Sequence, residues 1–124
     1  MARDRSRTGL QARLAGRRGE VVAALWLMAK GYQILGFRMR TPHAEIDLLA
    51  RKGRVLAVVE VKLRGTIETA LEAVTRRQRE RLRRAGAAFA ARRPDLADAA
   101  VRLDLVALAP GRWPCHIPDA WFGD

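Results

Sequence analysis

Two carboxylate clusters sit inside apolar runs that read as β-strands: Glu45-Ile46-Asp47 and Glu60-Val61-Lys62. A strand interior is a costly place for charge, so the arrangement needs a reason. Hard divalent cations take oxygen ligands, and clustered carboxylates supply them. A lysine two residues beyond Glu60 adds an ammonium group to the same neighbourhood. The chemistry indicated is a Mg²⁺ or Mn²⁺ centre with an adjacent lysine, equipment suited to hydrolysing a phosphodiester. The plainer alternative is a solvated strand face carrying a Glu–Lys ion pair.

Arg51-Lys52-Gly53-Arg54 lies between the two runs and reads as a tight hairpin turn. Placing Arg51 opposite Arg54 sets Glu45 against Glu60, Ile46 against Val59, Asp47 against Val58 and Leu48 against Ala57. Strand side chains alternate between faces. One face then collects Ile46, Leu48, Ala50, Val55, Ala57, Val59, Val61 and Leu63, all apolar. The other collects Glu45, Asp47, Leu49, Leu56, Val58, Glu60 and Lys62. This segregation would not survive a one-residue slip. Three carboxylates so close cannot all ionise comfortably without a counter-charge. Leu49, Leu56 and Val58 share their face, so an element packed there would leave the carboxylates in a cleft.

The elements that must position this hairpin follow from periodicity. Residues 1–9 form a polar, basic arm. Leu10 to Lys30 has a helical pattern, with an apolar stripe at Leu14, Val21, Val22, Leu25 and Met28. Gly16 and Gly19 weaken its first half, so the firm helix starts near Arg17, and Gly31 is placed to end it. Tyr32–Phe37, Glu45–Ala50 and Val55–Leu63 read as strands. One long helix is expected over Ile67–Ala91. Ala70, Leu71, Val74, Leu82, Ala85 and Phe89 lie on its inner face, and Arg76, Arg77, Arg79, Arg83 and Arg84 on the other. Val101–Ala109 is a further strand, with one more short strand near Cys115. The order α-β-β-β-α-β predicts an α/β domain, residues 10–124, with a mixed central sheet flanked by helices.

The 124 residues suit one domain with a core of its own. The formal charge is +11, and all but three of the 24 basic residues are arginine. That balance points to a polyanion, with nucleic acid first, although solvated arginine-rich faces are the plain alternative. No apolar run is long enough to span a bilayer and no signal-type segment opens the chain, so a cytoplasmic location is expected. Ser6 is the only serine, which argues against a serine triad. His43 and His116 lack zinc-ligand spacing. There is no glycine-rich phosphate loop. Trp113, Trp121 and Phe122 in the tail read as core or dimer contacts, the one hint of a homodimer.

A known pattern meets these residues. Gly19-Glu20, then Ala44-Glu45-Ile46-Asp47-Leu48-Leu49-Ala50, then Val59-Glu60-Val61-Lys62-Leu63-Arg64, then Arg102-Leu103-Asp104-Leu105-Val106 resembles the YraN family over roughly residues 10–109. These are small bacterial proteins with a PD-(D/E)XK, restriction-endonuclease-like core, similar to Holliday-junction resolvases. The chain departs from the pattern at Ala44 (usually Gly), Arg38 (usually Asn) and Arg77 (usually Lys).

The resemblance implies that Asp47 and Glu60 ligate Mg²⁺ or Mn²⁺, with the backbone carbonyl of Val61 as a further ligand. Lys62 would orient the attacking water or stabilise charge on the phosphate. Glu20 would reach the same cleft from the first helix, as a catalytic ligand or water-binder. Glu45 and Gln78 would stand behind these groups. Arg38, Arg40, Arg64, Arg76 and Arg77 are candidates for phosphate contacts. Asp104 reads as structural, paired with an arginine. The expected function is a metal-dependent nuclease acting on DNA, on branched or damaged substrates. The alternatives are a nucleic-acid-binding module with little turnover, or an adaptor in DNA recombination or repair.

Overall fold

The computed structural model describes the backbone of residues 2–122 and the side chains of residues 16–122. The elements are α1 (Ala2–Ala29), β1 (Gln33–Arg40), β2 (Glu45–Lys52), β3 (Val55–Leu63), α2 (Ile67–Glu72), α3 (Arg76–Ala91), a short 3₁₀ turn (Pro94–Leu96), β4 (Ala100–Leu108) and β5 (Cys115–Ile117). The strands form one sheet in the order β1-β2-β3-β4-β5. Neighbours pair antiparallel except β3 and β4, which are parallel. A parallel pair needs a crossover, and α2 with α3 provides it. This is the α/β order of a restriction-endonuclease-like core. Among the described residues no helix is long and apolar enough to cross a membrane.

Helix α1 runs back to Ala2, through most of the stretch read as a basic arm, residues 1–9, whose side chains lie outside the described residues. Its other end closes where glycine spacing indicated. Tyr32 N donates to Leu27 O and Gly31 N to Met28 O, each at 3.0 Å, with Gly31 at φ +94°. This is a Schellman closure, and Tyr32 and Leu27 make its hydrophobic contact.

The face α1 turns inward is not the expected stripe. Ala23, Ala24 and Leu27 are buried, whereas Val21, Val22, Leu25 and Met28 are exposed. Small residues let the helix lie close on the sheet, so the bulkier ones point away. Leu14 falls outside the described side chains.

The expected single long helix is two helices. Thr75 caps α3 by accepting from Gln78 N, and Gln78 Oε1 accepts from Thr75 N in return. Thr66 and Thr69 make the same reciprocal cap on α2. A helix passing straight through Ala73–Thr75 would forgo this capping box.

The core has two main layers. On one side α1 covers Leu48, Ala50, Ala57, Val59, Val106 and Leu108. On the other, α3 covers Leu49, Leu56, Val58 and Leu103. The face assignment along the hairpin therefore holds, except at Ile46. Ile46 packs in the α3 layer with Met39, its partner on β1. Between Phe37 and Met39, Arg38 adopts φ +45°, a left-handed backbone state inside the strand.

Candidate functional site

The hairpin turn is Gly53-Arg54, with Lys52 opposite Val55 and Gly53 at φ +59°. A two-residue loop with glycine first fits the twist of the flanking strands. The expected turn was one position earlier, so the observed ladder differs by two residues, with Leu48 opposite Val59 rather than Ala57. Glu45 is therefore not set against Glu60. A two-residue change preserves which face each side chain occupies, because the strand period is two.

Pairing of β2 with β3 stops at Leu48 and Val59, although both strands continue. Carrying the register one step further sets Asp47 against Glu60. Here the Asp47 side chain replaces a ladder partner: Val61 N–H donates to Asp47 Oδ2 at 2.9 Å. Glu60 is buried, at 7% exposure. Lys62 Nζ lies 3.5 Å from Glu60 Oε2. The carboxylates thus sit in the fork of two parting strands, on the α3 side of the sheet.

Their electrostatics are unsettled. Burial raises the pKa of Asp47, opposed by the Val61 N–H and the Lys62 charge. Burial, then the Asp47 charge, pushes Glu60 up to about 8. Burial and a second carboxylate together favour protonation of the pair, and one ammonium group at 3.5 Å only partly opposes them.

The fork opens into a cleft of about 390 Å³ lined by His43, Ala44, Glu45, Asp47, Glu60, Gln78, Arg81 and Leu82. A larger depression, about 510 Å³, lies at the far end of α3 and has no carboxylate in its wall. Of the sequence-predicted residues, Glu45 and Gln78 join Asp47 and Glu60 in the cleft, and Lys62 touches Glu60. Gln78 has a second duty there, since its carbonyl oxygen caps α3. Glu20 is not brought in. Its Oε2 accepts from Arg38 Nε at 2.6 Å, and both line a separate depression with Gly16 and Arg17. This occupies Arg38 as well. Arg64 bonds Leu63 O, Arg76 lies 3.8 Å from Glu80, and Arg40 and Arg77 are exposed.

Arg81 and His43 are cleft residues that sequence reasoning missed. Arg81 follows Gln78 by three, which places both on one helix face, so the spacing was a usable signal. His43 carried no such signal, because its loop position depends on how β1 returns to β2.

Among the described residues, no three His, Cys, Asp or Glu side chains form a ready-made metal cage. Two carboxylates with a backbone carbonyl are nevertheless a suitable donor set for Mg²⁺, which keeps several waters. The mutual repulsion of Asp47 and Glu60 is the feature such a cation would relieve.

With this geometry in view, the comparisons with known proteins are specific. The sequence model of the uncharacterised protein family UPF0102 matches residues 19–108. The chain belongs to that family. It is the group to which the YraN resemblance pointed. A UPF0102 protein of Caulobacter vibrioides (strain NA1000 / CB15N) is 66% identical over 119 residues, covering 96% of this chain and 95% of its own. That of Caulobacter sp. (strain K31) is 69% identical over 113 residues, covering 91% and 81%. That of Parvibaculum lavamentivorans is 50% identical over 114 residues, covering 92% and 86%. The matched span of the UPF0102 family includes Glu20, both carboxylate clusters, α3 and Asp104.

A second buried carboxylate contrasts with the first. Asp104, fully buried, accepts two bonds from Arg102, at 2.7 and 2.8 Å, and one from Asp119 N at 3.0 Å. His116 Nε2 lies 2.8 Å from its Oδ2. Lys30 Nζ lies 2.6 Å from His116 Nδ1. An ammonium group can only donate, so Nδ1 accepts and Nε2 carries the proton toward Asp104. Arg102 also donates to the Tyr32 hydroxyl at 2.6 Å. The His116 and Arg102 bonds hold the Asp104 carboxyl below its usual range despite burial. The expected arginine partner is present, and the lone histidine has a structural duty.

Proposed function

We propose that this UPF0102 protein is a metal-dependent nuclease that hydrolyses nucleic-acid phosphodiester bonds at the fork between β2 and β3. The observation that carries the reading is the Asp47–Glu60 pair, one half-buried and one buried, which has a single backbone N–H and a single lysine as partners and opens onto a cleft. Asp47 and Glu60, with the Val61 carbonyl, are the groups that would hold Mg²⁺ or Mn²⁺. When bound, the cation supplies polarisation of the phosphoryl oxygen and a lowered pKa for water. The chain's own groups do the rest. The Val61 N–H fixes one Asp47 oxygen and so aims the other. Lys62 places a positive charge where negative charge develops on the phosphate. Arg77 and Arg81 on α3, together with Arg40, offer guanidinium groups for the flanking phosphates. The net charge of +11 favours a polyanionic substrate.

A second reading, a binding module with little turnover, draws on one observation: Glu20 is occupied by Arg38 rather than turned to the cleft. One experiment separates the two. Labelled duplex, single-stranded and four-way-junction DNA are incubated with the protein, with and without Mg²⁺ or Mn²⁺. Metal-dependent cleavage is expected, falling by about 10²-fold or more in Asp47→Ala and Lys62→Ala. Cleavage that survives both substitutions sinks the proposed site. Binding without cleavage favours the second reading.

A further inference from the structure

The cleft does not end at Leu82. Beyond His43, which lines both, a second cavity of about 210 Å³ continues along the same face of α3. Its walls are Met39, Pro42, Ala85, Ala88 and Phe89, with Thr41 and His43 on the loop side and Arg40 and Arg92 at its margins. The order along the helix is regular. Gln78, Arg81 and Leu82 face the carboxylates, and Ala85, Ala88, Phe89 and Arg92 follow at three- and four-residue steps, one stripe of a 3.6-residue period. From Arg81 to Ala88 is about 10 Å at 1.5 Å per residue, a separation that roughly one or two nucleotides of an unstacked strand can bridge.

The loop wall is pre-shaped. Thr41 Oγ1 donates to Ala44 O at 2.7 Å and accepts from His43 N at 3.1 Å and Ala44 N at 3.0 Å. These bonds use the threonine hydroxyl internally and fix the turn, leaving the exposed His43 imidazole as the polar edge shared with the carboxylate cleft. Two alanines keep the helix wall low, which is what creates the cavity. The volume is below the ~300–1,000 Å³ of drug-sized ligand sites, the scale of a single heterocycle.

We propose that this second cavity is a nucleobase subsite: it takes one unpaired base next to the phosphate that Lys62 and Arg81 address at the carboxylate cleft, and so directs the protein to single-stranded or branched nucleic acid. The inference rests on the nuclease reading of the neighbouring cleft. Its chemistry is that of base capture. Apolar walls with the Phe89 ring among them accept the π-face, since stacking tolerates every base. His43 can donate to or accept from a base edge. Arg40 and Arg92 are placed for the phosphates on either side. A paired base inside a duplex cannot enter, so the subsite discriminates by strand state rather than by sequence.

The test is binding, measured by fluorescence anisotropy in EDTA so that cleavage plays no part. The wild-type protein is titrated with single-stranded oligothymidylate and with an abasic strand of the same length and phosphate count, both labelled. Tighter binding of the thymidylate by at least about 5-fold is expected. Ala88→Phe, which fills the cavity, should erase that difference and leave duplex affinity unchanged. Equal affinity of the wild-type protein for the two strands overturns the subsite, and this comparison needs no variant to fold. An Ala88→Phe protein with a wild-type melting profile that keeps the 5-fold preference also overturns it. Failure to bind either strand or duplex at low salt removes the nuclease reading as well, a result distinct from binding without base dependence.

Discussion

Two carboxylate sites lie in one sheet, one around the fully buried Asp104 and one around buried Glu60 and half-buried Asp47, and they are built to opposite ends. Asp104 is surrounded by donors: a bidentate arginine, an imidazole N–H and a backbone N–H. Its acidity is enhanced. Asp47 and Glu60 have one backbone N–H and one lysine between them, and their acidity is weakened. Asp47, Glu60 and Asp104 all fall within the matched family span, whereas His116 and Asp119, which bond Asp104, lie beyond it. The difference separates a carboxylate whose charge is fully matched within the fold from a pair whose charge is not. Burial with too few donors, rather than burial alone, is what weakens a carboxylate's acidity.

The largest effect that can break this comparison is on stability. Asp104→Asn should destabilise by about 3–5 kcal/mol in urea unfolding, because Arg102 loses its buried counter-charge. Asp47→Asn should cost far less, since it removes a repulsion. Equal losses would mean that both carboxylates serve the fold alike.

Next in size is metal. Mn²⁺ at about 100 times its dissociation constant should stabilise the wild-type protein by about 2.7 kcal/mol. Glu60→Gln should abolish that gain, whereas His116→Gln should leave it. A Glu60→Gln protein that responds fully to Mn²⁺ would remove Glu60 from the ligand set.

The pH windows have opposite signs. Glu60 is raised from 4.5 to about 8, so the folded state holds a proton the unfolded state has lost. Metal-free stability should therefore fall as pH rises from about 4.5 to about 8. Asp104 is lowered below 3.8. Its contribution is present above that value and is lost as pH falls through the folded pKa. Melting temperatures from pH 3 to 9 in EDTA should show both slopes, and Glu60→Gln should flatten only the upper one.

The smallest effect concerns Glu20. If it serves only Arg38, Glu20→Gln should shift stability by about 1–2 kcal/mol, as for a partly buried charge-assisted hydrogen bond, and leave Mn²⁺ affinity unchanged. A loss of metal affinity would return Glu20 to the carboxylate site.

Much of this was legible in the residues, and the exceptions are instructive. The hairpin faces came out correctly from a register two residues out, because side-chain direction has period two and forgives an even error. Which carboxylate meets which depends on the turn, and Lys52-Gly53 and Gly53-Arg54 are equally short. The break before α3 was written in Thr75 and Gln78 but hidden by an apolar stripe that continues across it. The inward face of α1 was misjudged because size is a poor guide where close approach favours alanine. Ile46 lies opposite Met39 and Glu20 bonds Arg38, on either side of a left-handed residue that no pattern of apolar residues announces. Arg81 was readable from Gln78, whereas His43 required the tertiary fold.

The hairpin and the parallel strand pair differ in how far apart their partners lie along the chain. Gly53-Arg54 closes β2 on β3 locally, a step on the order of microseconds. Val55 meets Ala100 only after α2 and α3 have crossed the sheet. Non-local pairing of this kind is slow. Asp47 and Glu60 are therefore neighbours early, while still hydrated, and lose their water only when α3 and β4 close over the hairpin. The electrostatic penalty falls on that late docking event, so in EDTA alkaline pH should slow refolding in stopped-flow traces, and Glu60→Gln should restore the rate.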